Sequence, residues 1–152
     1  MSEKPALWET LAWGALSGVA ASGAYAAEMS VDIAVTGNGL DDVQLMQGLF
    51  TGQKRQVPVA GMIGHLANGA ALGMVYALVR RWLPGPNWVK GTSFGLLFLI
   101  GAWPLTPFAD RRHPLVRRGE LPPIATKVSW WQSVARHAVF GLVLGLLDRA
   151  AR

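Results

Sequence analysis

Cysteine is absent from the 152 residues of this chain. That one absence excludes disulfides, iron–sulfur clusters, thiolate zinc sites, c-type haem attachment and cysteine nucleophiles. It leaves the redox compartment open. Charge is scarce too: Asp, Glu, Lys and Arg make up 15% of residues, against about 25% in typical soluble domains. The common catalytic signatures are also missing, with no H-E-x-x-H, no G-x-S-x-G and no phosphate-cradling P-loop. No catalytic residue is assigned, and the expectation is a protein that is not an enzyme.

What is present is apolar. Hydrophobic residues make up 51% of the chain, with 18 glycines and 7 tryptophans, and mean hydropathy is positive. Abundant glycine suits closely packed transmembrane helices. The net charge of +5 fits contact with lipid headgroups; no nucleic-acid partner is expected.

A bilayer-crossing helix needs roughly 20 apolar residues. Four segments qualify, at about 6–27, 57–82, 88–108 and 130–147. Tryptophans mark their ends: Trp8, Trp13, Trp82, Trp88, Trp103, Trp130 and Trp131. Aromatic belts sit at both membrane interfaces. The expected fold is an all-α, integral membrane four-helix bundle, with residues 1–152 forming a single transmembrane domain in the bacterial inner membrane. Ala24-Tyr25-Ala26 resembles a signal-peptide cleavage site. However, Glu9 interrupts the apolar run and Lys4 is the sole basic residue before it, so a retained helix is expected.

Pro84-Gly85-Pro86 makes a tight turn between the second and third segments. The other two links are long. In the first, Asp41 and Asp42 open a stretch in which Leu40, Val43, Met46, Leu49 and Phe50 recur at helical spacing. This predicts an amphipathic interfacial helix. The second, DRRHPLVRRGELPP, reads as an extended, stiff, basic loop, with Asp110 in a charge cluster beside Arg111 and Arg112. Four spans put both long links on one membrane face. Lys4, Arg80, Arg81, Lys90, Arg149 and Arg152 fall on the other face, against Lys54, Arg55, Arg111, Arg112, Arg117, Arg118 and Lys127. That near balance leaves the orientation undetermined. Arg111, Arg112, Arg117 and Arg118, with Trp130 and Trp131, are candidates for contact with anionic lipid or an acidic subunit. Asp32, Asp41 and Asp42 form an acidic patch on the same face as this basic loop.

The second and fourth segments share a pattern. His65 to Gly73 reads HLANGAALG and His137 to Gly145 reads HAVFGLVLG; both are H-x-x-x-G-x-x-x-G. Gly14-x-x-x-Gly18 and Gly91-x-x-x-Gly95 match more weakly in the first and third segments. A tandem repeat of two-helix units is expected, packed through Gly14, Gly18, Gly69, Gly73, Gly91, Gly95, Gly141 and Gly145. Four-residue spacing puts Gly61, His65, Gly69 and Gly73 on one helix face. Polar groups in hydrocarbon turn inward, so both imidazoles should face the interior at matching depth.

The plain expectation is no cofactor, with each histidine hydrogen-bonded to a carbonyl or to Asn68, Ser133 or Ser17. The alternative is a b-type haem, with His65 and His137 as iron ligands. In that reading Gly61, Gly69 and Gly141 leave room for the porphyrin, and Arg111, Arg112 or Arg136 meets its propionates. A small oligomeric transporter using Glu9 or Glu28 is a third reading. HLANGAALGMVYAL followed by LPGP resembles small four-span bacterial integral membrane proteins carrying H-L-x-x-G-x-x-x-G-x-x-Y-A-L and a Pro-Gly-Pro turn. The resemblance supports the span count and implies no activity. The leading functional expectation is an accessory or packing subunit of a larger membrane complex, respiratory or photosynthetic. Its partners would be membrane lipids and other membrane subunits or further copies of itself.

Overall fold

The computed structural model describes residues 6–148, so Lys4, Arg149 and Arg152 of the charge count lie outside the described residues. Helix α1 runs Leu7–Thr36. The Glu9 carboxylate accepts the Ala6 N–H at its start (3.0 Å). At its end Gly37 adopts a left-handed conformation, φ 69°, and donates to the Ile33 carbonyl. The helix therefore continues past the expected boundary at Ala27. Glu28 and Asp32 end the apolar run but not the helix, because neither residue breaks backbone hydrogen bonding.

Helix α2, Asp42–Thr51, begins where the two aspartates predicted a start: the Asp41 side chain caps it by accepting the Gln44 N–H (2.9 Å). Its two sides differ in character. Val43, Gln44, Gln47 and Gly48 are buried, while Leu49 and Phe50 are 61% and 62% exposed. Glutamine turns inward because backbone groups there need partners. Gln47 accepts the Gly61 N–H, and Gln44 donates to the Arg55 carbonyl.

Helix α3 spans Val59–Val79 and tightens into a 3₁₀ turn over Arg80–Trp82. After the Pro-Gly-Pro turn, with Gly85 at φ 92°, α4 runs Asn87–Ala102. A second 3₁₀ turn, Trp103–Leu105, contains Pro104 and hands over to α5, Thr106–Arg112. Two stretches, Val59–Trp82 and Asn87–Arg112, are long and apolar enough to cross a membrane. The remaining elements are α6, Pro114–Arg117, and α7, Lys127–Leu146, which Thr126 caps by accepting the Ser129 N–H (3.1 Å). The segment expected as an extended basic loop is thus half helical, over residues 110–112 and Pro114–Arg117. Pro107 and Pro114 sit in the first turns of α5 and α6, where a missing N–H does no harm.

Two hairpins result, α1 with α3 and α4 with α7, joined side by side along α1 and α7. Glycine makes both hairpins tight. A Cβ on Gly14 would lie 2.6 Å from the Gly73 carbonyl oxygen, and one on Gly18 would meet Gly69. In the second hairpin Gly91 faces Gly141 and Gly145, Gly95 faces the His137 carbonyl and Gly141, and Gly145 faces Asn87. Ala21, Tyr25, Tyr76, Phe140 and Leu144 form the apolar core where the hairpins meet. The two long links also meet. His113 Nε2 lies 2.9 Å from the Leu45 carbonyl, Leu115 packs on Gly48, and Lys54 donates to the Glu120 carbonyl.

Candidate functional site

Among the described residues the most deeply buried charged side chain is that of Arg136, with no exposure at all. Helical spacing puts Ser129, Gln132, Ser133, Arg136 and Phe140 on the inward side of α7. The guanidinium meets α1 there. Its Nε and Nη2 donate to the two oxygens of Asp32, giving a two-toothed pair. Nη1 donates to Asp42 at the start of α2 (2.7 Å), and Nη2 also reaches the Leu40 carbonyl (2.9 Å). Gln132 donates to Asp32 (2.6 Å) and to the Asn38 carbonyl (3.0 Å), and its Oε1 accepts from Asn38 Nδ2 (2.6 Å). The Tyr25 hydroxyl donates to Asp42 (2.8 Å). Glu28, one turn before Asp32, keeps one buried carboxylate oxygen without a hydrogen-bond partner.

The fold gives these residues other roles than their sequence positions suggest. Arg136 is expected near haem propionates, and Asp32 and Asp42 in a patch facing the basic loop. Instead the two aspartates pair with α7. Asp110 does not cluster with Arg111 and Arg112; its carboxylate accepts the backbone N–H groups of Ile124 and Ala125 (2.6 and 3.0 Å). Gln132 carries no expectation from sequence, and Asn38 only that of a turn over Gly37-Asn38-Gly39. The available signal was a lone arginine in the middle of an apolar helix, which requires a buried counter-charge from a neighbour.

The histidines lie directly below this network. The Tyr25 ring contacts both imidazoles, at centroid distances of 5.2 Å to His65 and 5.3 Å to His137. The fold therefore brings the pair together around one tyrosine. His65 is buried, with Nε2 3.2 Å from the Ser22 carbonyl. His137 sets Nδ1 2.8 Å from the Ser133 carbonyl of its own helix and stacks on Phe98. Asn68 and Ser17 make no hydrogen bond to either ring.

These residues do not fit a haem as placed. His137 leaves Nε2 open, but the Nε2 of His65 faces a carbonyl, and aromatic rings lie against both imidazoles. The glycines expected to make room are closed: Gly69 by Ser22 and Gly18, Gly141 by the Gly91 backbone. Gly61 faces α2 rather than the histidines, against the Val43 carbonyl and Gln47. Glu9, the candidate transport carboxylate, caps α1.

Among the loop-face cations, Arg112 lies over the Phe108 ring (4.9 Å). Arg118 pairs with Glu120 and donates to the Gly52 carbonyl (2.6 Å). Arg111 and Arg117 are exposed. Trp130 packs edge-on against Trp103 (4.8 Å), while Trp131 is 68% exposed. At the opposite end of the bundle a cavity of about 610 Å³ opens between α1, α3 and α7, bordered by Trp8, Trp13, Tyr76, Arg80 and Asp148. Arg80 and Asp148 form an ion pair there.

No family model matches the chain, and no match to it was found among curated proteins or solved structures. The case for a role rests on the geometry. Tyr25→Phe tests one link in isolation. Removing its hydroxyl takes one of two donors from Asp42 and leaves the aromatic packing on both histidines. The expected loss is about 1–3 kcal/mol, since the bond is to a charged group, read as a lowered thermal midpoint by circular dichroism.

Proposed function

We propose that the chain is an integral membrane protein whose four long helices cross the bilayer, with α2 at one interface. In this reading it is an accessory or packing subunit of a larger complex, respiratory or photosynthetic, in a bacterial inner membrane. It performs no chemistry of its own. The observation that carries the reading is the closed ion network: Arg136 is wholly buried, and its donors are met by Asp32, Asp42 and a carbonyl. A charge in hydrocarbon is tolerated when it is paired. Asp32 and Arg136 lower the hydropathy of α1 and α7, yet as a pair they let both helices share the bilayer with α3 and α4.

The exterior supports the same reading. Each long helix presents large apolar side chains outward, among them Leu16 and Val31 on α1, Ile63 and Val75 on α3, Leu97 and Ile100 on α4, and Leu142 on α7. Apolar surface on every side suits lipid or neighbouring membrane helices. The glycine contacts common to both hairpins support a duplicated two-helix unit. Small residues and a locked polar centre make a rigid body rather than a moving one.

The test is recovery of the tagged chain from its own membranes in mild detergent. A fixed set of membrane polypeptides in constant ratio is expected, retained in high salt. Recovery with no other polypeptide in comparable amount overturns the reading. The same preparation is expected to show no Soret band; a band lost in both His65→Ala and His137→Ala would put haem in its place.

A further inference from the structure

Asn68 is exposed on α3 and makes no hydrogen bond. Its surroundings make that unusual. It lies within Val59–Trp82, one of the two stretches apolar enough to cross a membrane. At 1.5 Å per residue it sits about 4 Å from the middle of that stretch. The opposite side of α3 is fully used: Gly69 and Gly73 close on α1, and Gly61 closes on α2. The outward side carries Ile63, Ala67, Ala71, Val75 and Leu78, all exposed, with Asn68 as its sole polar side chain among the described residues. Lipid tails offer an amide neither donor nor acceptor.

We propose that a second copy of this chain docks on the outward side of α3, with the two Asn68 amides hydrogen-bonded to one another across a two-fold axis. The inference rests on reading α3 as a membrane span. An amide carries two N–H donors and a carbonyl acceptor, so two of them form a reciprocal pair in which each carbonyl accepts one N–H of the other. A two-fold axis along the membrane normal places both at the same depth automatically. A chain of different sequence would need its own polar group at that level, whereas a second copy supplies one by construction. Ala67 and Ala71 flank the amide with single methyl groups, so the helices approach closely enough for it to reach.

The lack of cysteine makes the test direct. Asn68→Cys introduces the sole thiol, at a position whose side chain touches no polar partner, so the fold is retained. In native-membrane vesicles treated with copper phenanthroline, a disulfide-linked product of twice the chain mass is expected. Ile100→Cys, exposed on α4, should give none. Asn68→Leu should shift the monomer–dimer equilibrium in vesicles toward monomer by about 3- to 20-fold, the range for one interhelical amide contact. Cross-linking no stronger than in Ile100→Cys, an unchanged equilibrium in Asn68→Leu, or a product of unequal mass overturns the proposal. A membrane-impermeant maleimide separates the two levels of the inference. Ready labelling of Asn68→Cys removes the span itself. Protection without cross-linking leaves the span standing and removes the pairing.

Discussion

Asp32→Ala is expected to lower the thermal midpoint by about 6–20 °C. Removing the carboxylate leaves Arg136 fully buried with its two-toothed partner gone, and Gln132 loses an acceptor with it. Breaking a buried pair from one side destabilises by about 3–5 kcal/mol, and each kcal/mol moves the midpoint of a domain this size by roughly 2–4 °C. Arg136→Leu should do comparable damage, because Asp32 and Asp42 are then left facing each other. Glu28→Gln provides the contrast. The partners of Arg136 are Asp32, Asp42 and the Leu40 carbonyl, not Glu28, and neutralising Glu28 removes a like charge one turn from Asp32. A neutral or stabilising outcome is expected. Circular dichroism melts in detergent decide the matter; a shift under about 3 °C in Asp32→Ala would mean that the network does not hold the fold together.

The second large effect comes from one substitution made at different places. Gly69→Ala and Gly141→Ala each put a methyl group into a neighbouring helix: Gly69 against Ser22 and the Gly18 carbonyl, Gly141 against the Gly91 backbone. Backbone cannot move aside as a side chain does, so the helices must separate, at about 1–3 kcal/mol or more for each methyl. Gly23→Ala and Gly101→Ala place the same methyl in open space. Within a helix they should stabilise by about 0.5–1 kcal/mol, since alanine forfeits less backbone freedom than glycine. Opposite signs from identical chemistry are the expected result, read by thermal melting or by resistance to proteolysis. A uniform sign across the four variants would mean that glycine here serves propensity, not contact.

Glycine patterning was legible in the sequence because four-residue spacing states which face approaches a neighbour. The hairpin pairings come from it directly. The start of α2 was legible for an equally local reason, Asp41 being a strong cap. The ion network was not, since its members lie far apart in the chain and each has an ordinary local explanation. Asp32 reads as part of an acidic patch in a long link and Asp42 as the first turn of a helix, and the lone arginine of the fourth segment does not say which of them it meets. Only tertiary packing brings them into contact. The proline-rich link misled differently. Proline marks both loops and first helical turns, and the residues C-terminal to it distinguish the two. After Pro107 and Pro114 they are helical for a turn or two. The inward glutamines of α2 were not legible, because their partners, the Gly61 N–H and the Arg55 carbonyl, lie beyond the helix.

Arg136 and Asp32 stand 104 residues apart, and that distance has a consequence for biogenesis. During synthesis α1, α2 and α3 emerge with both aspartates in place, before the Arg136 guanidinium that pairs with them. The first hairpin is then an anionic half-structure whose polar centre waits on the last helix. Arrival of α7 supplies the counter-ion and joins the two hairpins along α1. A chain interrupted before residue 136 would keep the glycine contacts of α1 with α3, lose those of α4 with α7, and leave the Asp32 and Asp42 carboxylates without the guanidinium that joins them.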